Sequence, residues 1–435
     1  MTGPPRGLVI AAPASGSGKT VVAMGLIAAW RRAGSAVAAA KSGPDYIDTA
    51  FLSAAAGRPA VNLDCWAMRP ALLRHLAGRQ AAGADFLVIE GAMGLFDGGD
   101  GGAGSTAELA KALGLPVVLV VDASRQAQSA AALAQGFCGF DRDVEVAGVI
   151  VNRVAGARHG GLIADALAAA GIAVIGTMAR TGELDLASRH LGLVQAGEAA
   201  GLERVIEAAA ASASAGIDLA RLGDAARALP GAQGGCAIPA PPGQRIALAS
   251  DRAFAFAYHH VLESWRASGA EIIAFSPLGD EAPDAEADAV ILPGGYPELH
   301  AGRLAGNQRL IAGLRRKAEA GALIYGECGG YMLLGRGLVD AGGERHAMAG
   351  LLALETSFAA PRLSLGYRRA VAGAGQSLAA PGTVFRAHEF HYATAIEENG
   401  EPLFAVTDMA GHALGAAGLA RGRVSGSFLH VIDVE

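Results

Sequence analysis

A single thiol stands between glycines in Gly326-Glu327-Cys328-Gly329-Gly330, straight after the apolar run Ala322-Leu323-Ile324-Tyr325 and ahead of the helical stretch Tyr331-Met332-Leu333-Leu334. Glycines permit the sharp strand-to-helix turn that lifts a nucleophile clear of the backbone, and a helix N-terminus behind a thiol lowers its pKa. Cys328 is therefore read as a nucleophile with a depressed pKa. Its base must come from elsewhere in the chain, and His300, His388, His391, His412 and His430 are the candidates. The last ends Gly426-Ser427-Phe428-Leu429-His430, at a strand end after a run of small residues. Pro293-Gly294-Gly295-Tyr296-Pro297-Glu298 follows the strand Val290-Ile291-Leu292, and the backbone N–H groups of Gly294 and Gly295 could form an oxyanion hole.

A second kind of chemistry is written near the start. Ser15-Gly16-Ser17-Gly18-Lys19-Thr20 comes after the strand-like Gly7-Leu8-Val9-Ile10-Ala11-Ala12 and opens an apolar helical stretch from Val21 to Trp30. Backbone N–H groups of Ser15 to Lys19 can point at phosphate oxygens there, with the helix dipole behind them. Lys19 would bridge the terminal phosphates and the Thr20 hydroxyl would hold Mg²⁺. Pro13 occupies the place of the first glycine of a standard P-loop, so this loop is a variant.

Two further loops carry reactive groups. Lys41-Ser42-Gly43-Pro44-Asp45-Tyr46-Ile47-Asp48 gathers an ammonium, a phenol and two carboxylates at the carboxyl edge of a sheet, although Gly-Pro-Asp is also good turn chemistry. The strand Phe86-Leu87-Val88-Ile89 runs into Glu90-Gly91-Ala92-Met93-Gly94-Leu95-Phe96-Asp97, and an acid at the end of a buried strand beside a P-loop is placed to bind Mg²⁺. Asn152 and Arg153 end another strand, where the amide could read a nucleotide base.

The elements that must hold these groups follow from composition and periodicity. At 435 residues the chain exceeds one core, so two domains are expected. Hydrophobic residues make up 52% and aromatics only 5%, which points to cores of Ala, Val, Leu and Ile. Candidate strands at 36–40, 86–89, 116–121, 146–151 and 173–176 alternate with Ala-rich helical stretches, a βαβ pattern that implies a parallel sheet covered on both faces. Residues 208–244 read as a linker rich in Ala, Ser, Gly and Pro between a first domain (1–207) and a second (245–435). In the second, strands at 246–250, 271–275, 289–292 and 323–325 are interleaved with helices at 254–268 and 307–318, and short β segments follow Gly350. A net charge of −6 argues against nucleic acid. Cys65, Cys138, Cys236 and Cys328 lack C-x-x-C spacing, which argues against zinc and a disulfide framework. With no signal segment or membrane span legible, a cytosolic enzyme is expected.

Taken in order, these motifs resemble the cobyrinate/hydrogenobyrinate a,c-diamide synthase family, in which a dethiobiotin-synthetase-like ATP domain is fused to a triad-type glutamine amidotransferase domain. The matching stretches run from Ala12 to Thr20, Lys41 to Asp48, Glu90 to Asp97, Pro293 to Glu298 and Gly326 to Met332, with Arg386-Ala387-His388-Glu389-Phe390-His391-Tyr392 as the last. The Pro13 variant belongs to that family's pattern. The resemblance implies a P-loop α/β domain followed by a class I-like amidotransferase α/β domain. It also implies a ligase that spends ATP to activate a corrin carboxylate and takes nitrogen from L-glutamine, in cobalamin biosynthesis. Carried over by position, it implies Cys328 as nucleophile with His430 as base, and Thr20, Glu90 and Asp48 near Mg²⁺. Lys41, Asp45, Tyr46 and Asp97 would contact substrate. Ammonia would need a dry passage between the domains.

Many triad glutaminases carry His-Pro-Glu, whereas His430 is followed by Val431-Ile432-Asp433, which leaves the third member open and admits a Cys-His dyad. Alternatives at this stage are cobyric acid synthase, a nickel-tetrapyrrole diamide synthase, and a regulatory P-loop ATPase with an inactive amidotransferase domain. The corrin partner is hydrogenobyrinate or cobalt-containing cobyrinate, with the metal-free acid preferred on the GC-rich character of the composition. A homodimer is admitted rather than required.

Overall fold

The apolar runs of the first half pair side by side and in parallel, because strands built of Val, Leu, Ile and Ala have no polar face to leave in water. The computed structural model describes residues 4–182, 201–229, 240–375 and 377–435, which fall into two units. The first takes Met1–Trp66 and Pro70–Cys236, the second Ala67–Arg69 and Ala237–Glu435.

In the first unit, β1 (Arg6–Ala11), β2 (Val37–Ser42), β3 (Val61–Leu63), β4 (Phe86–Glu90), β5 (Val117–Asp122), β6 (Val146–Val154), β7 (Val174–Ala179) and β8 (Arg227–Ala228) form one sheet. Its order is β3-β2-β4-β1-β5-β6-β7, all parallel, with β8 antiparallel on β1. The helices are α1 (Lys19–Arg32), α2 (Tyr46–Ala56), α3 (Pro70–Ala81), α4 (Thr106–Leu113), α5 (Ser129–Phe140), α6 (Ala157–Ala169), α7 (Leu202–Gly216) and α8 (Leu219–Ala225). Strand order reverses at β1, so the loops after β1, β2 and β4 open on the crevice where α/β sheets take ligands. Register aligns them: Ile10 pairs with Glu90, and Lys41 lies opposite Glu90 on the other side.

The stretch read as a linker from residue 208 is structured at its start. Helix α7 lays Ala209 and Ala213 against α1, and both are buried. The approach is close: a Cβ on Gly25 of α1 would lie 2.7 Å from the Ala209 carbonyl oxygen. Small residues that resemble linker composition are here what lets two helices meet. Residues 230–239, with Cys236 and the first part of the Pro-rich run, lie outside the described residues.

In the second unit, β9 (Arg245–Ala249), β10 (Glu271–Phe275), β11 (Ala289–Leu292) and β12 (Leu323–Glu327) are parallel neighbours in the order β10-β9-β11-β12. Helices α9 (His259–Ala267), α10 (Ala301–Gly306), α11 (Gln308–Glu319) and α12 (Gly329–Leu334) accompany them. A small sheet, β14-β13-β15-β18, is made of β13 (Gly337–Val339), β14 (Arg345–Ala347), β15 (Leu354–Ser357) and β18 (Thr394–Glu398). The main sheet continues past β12 through β21 (Val424–Ser427), β20 (Ala413–Arg421), β19 (Glu401–Thr407), β16 (Ser364–Ala372), β17 (Val384–His391) and β22 (Leu429–Val434), ten strands in all. Its end strand comes back toward β12, since the Val431 N–H donates to Glu327 Oε1 at 3.1 Å.

The helix expected from Phe254 begins only at His259. Residues 251–254 make a turn instead and Phe256 an isolated bridge, because the Ala253 carbonyl accepts from the Tyr296 N–H and the Phe256 N–H donates to the Gly294 carbonyl, each at 3.0 Å. They brace the Gly294-Gly295 turn. Among the described residues no helix is long and apolar enough to cross a membrane.

The α1–α7 contact makes a prediction whose sign is informative. Gly→Ala inside a free helix is favourable by about 1 kcal/mol, whereas a methyl forced against a packed backbone costs about 1–3 kcal/mol. Gly25→Ala should lower the unfolding midpoint in a denaturant titration; a raised midpoint would show that α7 does not pack there in solution.

Candidate functional site

Two separate constellations carry the chemistry, one in each unit. In the first, Gly16 and Gly18 adopt left-handed conformations (φ 79° and 85°), which turn the chain from β1 into α1. Asn152 and Arg153 hold the loop from β6: Asn152 Nδ2 donates to the Ser17 carbonyl at 2.9 Å and Arg153 Nη1 to the Gly16 carbonyl at 2.8 Å. A side chain at position 18 would collide with the Asn152 amide, at 2.4 Å. Ser17 Oγ donates to the Ala14 carbonyl at 2.9 Å, and Ser15 stands exposed beside it. Asn152 and Arg153 also line a small cleft with Gly18, Arg180 and Thr181, so they both brace the loop and face the space beside it.

The candidate groups of this unit converge on Glu90, which is fully buried. Thr20 Oγ1 donates to Glu90 Oε1 at 2.6 Å, and Lys41 Nζ lies 3.0 Å from the same oxygen. Lys41 also reaches Asp48 Oδ2 at 2.6 Å and the Gly91 carbonyl at 3.3 Å. Burial pushes the Glu90 carboxyl up to about 7 against the pull of the Lys41 ammonium, while the carboxylates around Lys41 hold that lysine charged despite its burial. Burial and the neighbouring Lys41 ammonium lower the Lys19 amine, whose Nζ donates to the Met93 carbonyl at 2.5 Å. Met93 itself sits at φ 49°, a conformation unusual outside glycine.

Lys41, expected to contact substrate, is 2% exposed and takes three acceptors, because its strand position sets it opposite Glu90. It orients the two carboxylates. Asp45 is likewise engaged as the cap of α2, accepting from the Ile47 and Asp48 N–H groups at 2.8 and 3.0 Å. Tyr46 opens α2 half-buried, and Asp97 stays exposed while accepting from the Gly94 N–H at 2.9 Å. Glu90 Oε2 is buried without a hydrogen-bond partner. An orphaned carboxylate oxygen beside a hydroxyl and a second carboxylate is the hard-oxygen set that suits Mg²⁺, so Thr20, Glu90 and Asp48 fit such an ion.

In the second unit, Cys328 occupies the turn between β12 and α12 with φ 47° and ψ −102°. Gly330 makes that turn possible, since a Cβ there would fall 1.9 Å from the Leu292 carbonyl. The thiol donates to the Phe390 carbonyl at 3.7 Å and is buried. The expected lowering of its pKa is not found. Desolvation and the carboxylates of Glu298, Glu327 and Glu389 push the thiol up, and they outweigh the Gly329 N–H at the start of a helix of only six residues. The resting group is a thiol that needs a base.

His430 is 2% exposed, and burial with the nearby His388 and His391 lowers its pKa to about 3, so the ring is neutral and able to accept a proton. It packs on the Gly294 backbone, where a Cβ would lie 2.3 Å from Cε1. Its Nδ1 is 3.9 Å from Glu327 Oε2. Gly295 abuts the nucleophile turn, its amide nitrogen 3.1 Å from where a Cβ on Gly329 would stand. The structure thus brings Cys328, His430, Gly294 and Gly295 together. The other histidines are used differently: His391 stacks on Phe428 at 3.9 Å and pairs with Glu389 at 3.0 Å, and His412 is exposed. Glu327 and Glu298 lie within the Gly326–Gly330 and Pro293–Glu298 motifs, yet neither stood out from sequence. Burial pushes them up to about 8 and about 7 respectively.

Comparison with known proteins agrees with this division. Residues 8–194 match the CobQ/CobB/MinD/ParA nucleotide binding domain, and residues 245–434 match the CobB/CobQ-like glutamine amidotransferase domain. The chain is 53% identical to a hydrogenobyrinate a,c-diamide synthase of a Sinorhizobium species over 98% of this chain and 99% of that one. It is 53% identical to one of that name from Brucella suis, over 98% of each chain. A third, from Rhodobacter capsulatus, is 52% identical over 98% of this chain and 99% of its own. On full-length likeness at this level, with both domains present and in order, the chain belongs to the hydrogenobyrinate a,c-diamide synthase family.

Proposed function

We propose that this chain is a glutamine-hydrolysing ligase that converts the a and c side-chain carboxylates of hydrogenobyrinate to amides in cobalamin biosynthesis, with ATP as energy source. The observation that carries the reading is the presence of both chemical centres, Lys19-Thr20-Glu90 and Cys328-His430, in one chain alike over 98% of its length to relatives of that name.

A carboxylate resists ammonia because its oxygen leaves badly. Transfer of the ATP γ-phosphoryl to it gives an acyl phosphate whose carbonyl carbon accepts the amine. Lys19 and the P-loop N–H groups would hold the phosphates, and Mg²⁺, carried by Thr20, Glu90 and Asp48, would neutralise phosphate charge. Tyr46 and Asp97 are the side chains of this unit best disposed to meet the corrin acid. In the second unit His430 draws the proton from Cys328, the thiolate attacks the glutamine carboxamide, and the N–H groups of Gly294 and Gly295 stabilise the oxyanion. The C–N bond breaks as His430 returns the proton to the departing ammonia, and water resolves the thioester. A cytosolic setting fits a nucleophile that must remain a free thiol.

Three outcomes test the reading. Cys328→Ala should abolish glutamine-dependent amidation while ammonia-dependent amidation persists, measured by mass spectrometry of the macrocycle; equal loss of both would contradict the division of labour. Lys19→Ala should stop both routes. Because Glu90 must be an anion to hold a cation and burial raises its pKa to about 7, Mg²⁺ affinity followed by calorimetry should rise with pH through that value. In Glu90→Gln the affinity should be weak and nearly flat with pH. A wild-type affinity independent of pH between 6 and 8 would remove Glu90 from the ion's ligands.

A further inference from the structure

A histidine that serves a thiol works best when a carboxylate fixes its tautomer and balances the imidazolium. In this chain Ile432, fully buried, stands two residues beyond His430. Asp433 is committed elsewhere: its oxygens accept from the Arg69 backbone N–H at 2.9 Å, from Arg69 Nε at 3.0 Å and Nη2 at 2.8 Å, and from the Val434 N–H at 2.8 Å. Glu389 is divided between His391 Nε2 at 3.0 Å and Arg368 Nε at 2.7 Å. Glu298 bears on the thiol.

Glu327 stands differently. It directly precedes the nucleophile, and Oε2 faces His430 Nδ1 at 3.9 Å. Its other oxygen, Oε1, accepts from the N–H of Val431, the residue next to the histidine, at 3.1 Å. Two strands far apart in sequence, β12 and β22, are thereby tied by one carboxylate that hydrogen-bonds the backbone beside the ring and lies within ion-pair range of the ring itself. Position 430 is also tightly set where the ring lies on the Cβ-less Gly294. We infer that Glu327 is the positioning residue of this glutaminase, taking the place of the carboxylate that other triad enzymes supply after the histidine. It turns Nδ1 toward itself and leaves Nε2 to take the Cys328 proton. When the thiol proton moves to the ring, the S–C bond forms and the C–N bond breaks, and the imidazolium so created lies beside the Glu327 carboxylate until it protonates the leaving ammonia.

This inference rests on the amidotransferase reading above, and one experiment separates the two. Wild type, Glu327→Gln and Glu327→Ala are compared as full chains for glutamine hydrolysis and for ammonia-dependent amidation. The expected result is a fall of roughly 10²-fold or more in glutaminase kcat in both variants, with the KM for glutamine within twofold of wild type. Ammonia-dependent turnover is retained, which shows that the chain is folded. Glu327 also lines an apolar cleft with Leu248, Tyr258, Trp265, Tyr325 and Val431. Formate should therefore enter the space left in Glu327→Ala and restore part of its glutaminase rate, while leaving Glu327→Gln, whose side chain fills that space, unchanged. Glutaminase kcat within twofold of wild type in either variant would overturn the positioning role, as would a rise in KM at unchanged kcat. Loss of the ammonia-dependent rate in step with the glutaminase rate would also overturn it, by reducing Glu327 to a structural group. A wild-type chain that hydrolyses no glutamine would instead sink the amidotransferase reading itself.

Discussion

Lys41 and Glu90 face each other across two parallel strands at 3.0 Å, and neither is more than 2% exposed. Charges so withdrawn from water are tolerable only in each other's company, and removing one partner of such a pair costs about 3–5 kcal/mol. That constraint organises the ATP unit. It places Glu90 under the Thr20 hydroxyl, draws Asp48 onto the other side of the ammonium, and leaves one carboxylate oxygen, Oε2, with no partner. The sheet order brings this about, since β4 lies between β2 and β1 and its last residue is flanked by a residue of each.

Desolvation has the opposite use in the second unit. There it keeps the Cys328 thiol protonated and the His430 ring neutral, so that neither is charged at rest. The strained backbone at Cys328, with φ 47°, is held by the Cys328 N–H on the Ser427 carbonyl at 2.8 Å and by the Gly330 N–H on the Pro293 carbonyl at 3.1 Å.

The parts legible in the sequence were those whose chemistry is local. The P-loop, the Cys328 elbow, the parallel strands and the Gly294-Gly295 turn each announce themselves within a few residues, because glycine geometry and strand apolarity are short-range properties. What escaped depends on contacts made over long separations. The second half of helix α7 passed as linker because Ala and Ser are the composition of both a flexible tether and a helix that must approach a glycine. The pairing of Lys41 with Glu90 was not legible because nothing near Lys41 shows that β4 will set Glu90 against it. The thiol pKa was read in the wrong direction because the dipole of a short helix is visible locally and the burial of the site is not. Glu327 went unremarked because β22 returns to it from the other end of the chain.

The central claim is that nitrogen released at Cys328 ends up on a carboxylate activated through Lys19, Thr20 and Glu90. Incubation of the enzyme with hydrogenobyrinate, ATP and glutamine labelled with ¹⁵N at the side-chain amide, in buffer containing no ammonium, tests it directly by mass spectrometry of the corrin. The account predicts a diamide carrying two labelled nitrogens, with ADP and phosphate formed alongside. Labelled ammonia left in solution beside an unchanged macrocycle, or conversion of cobalt-containing cobyrinate alone, would contradict it.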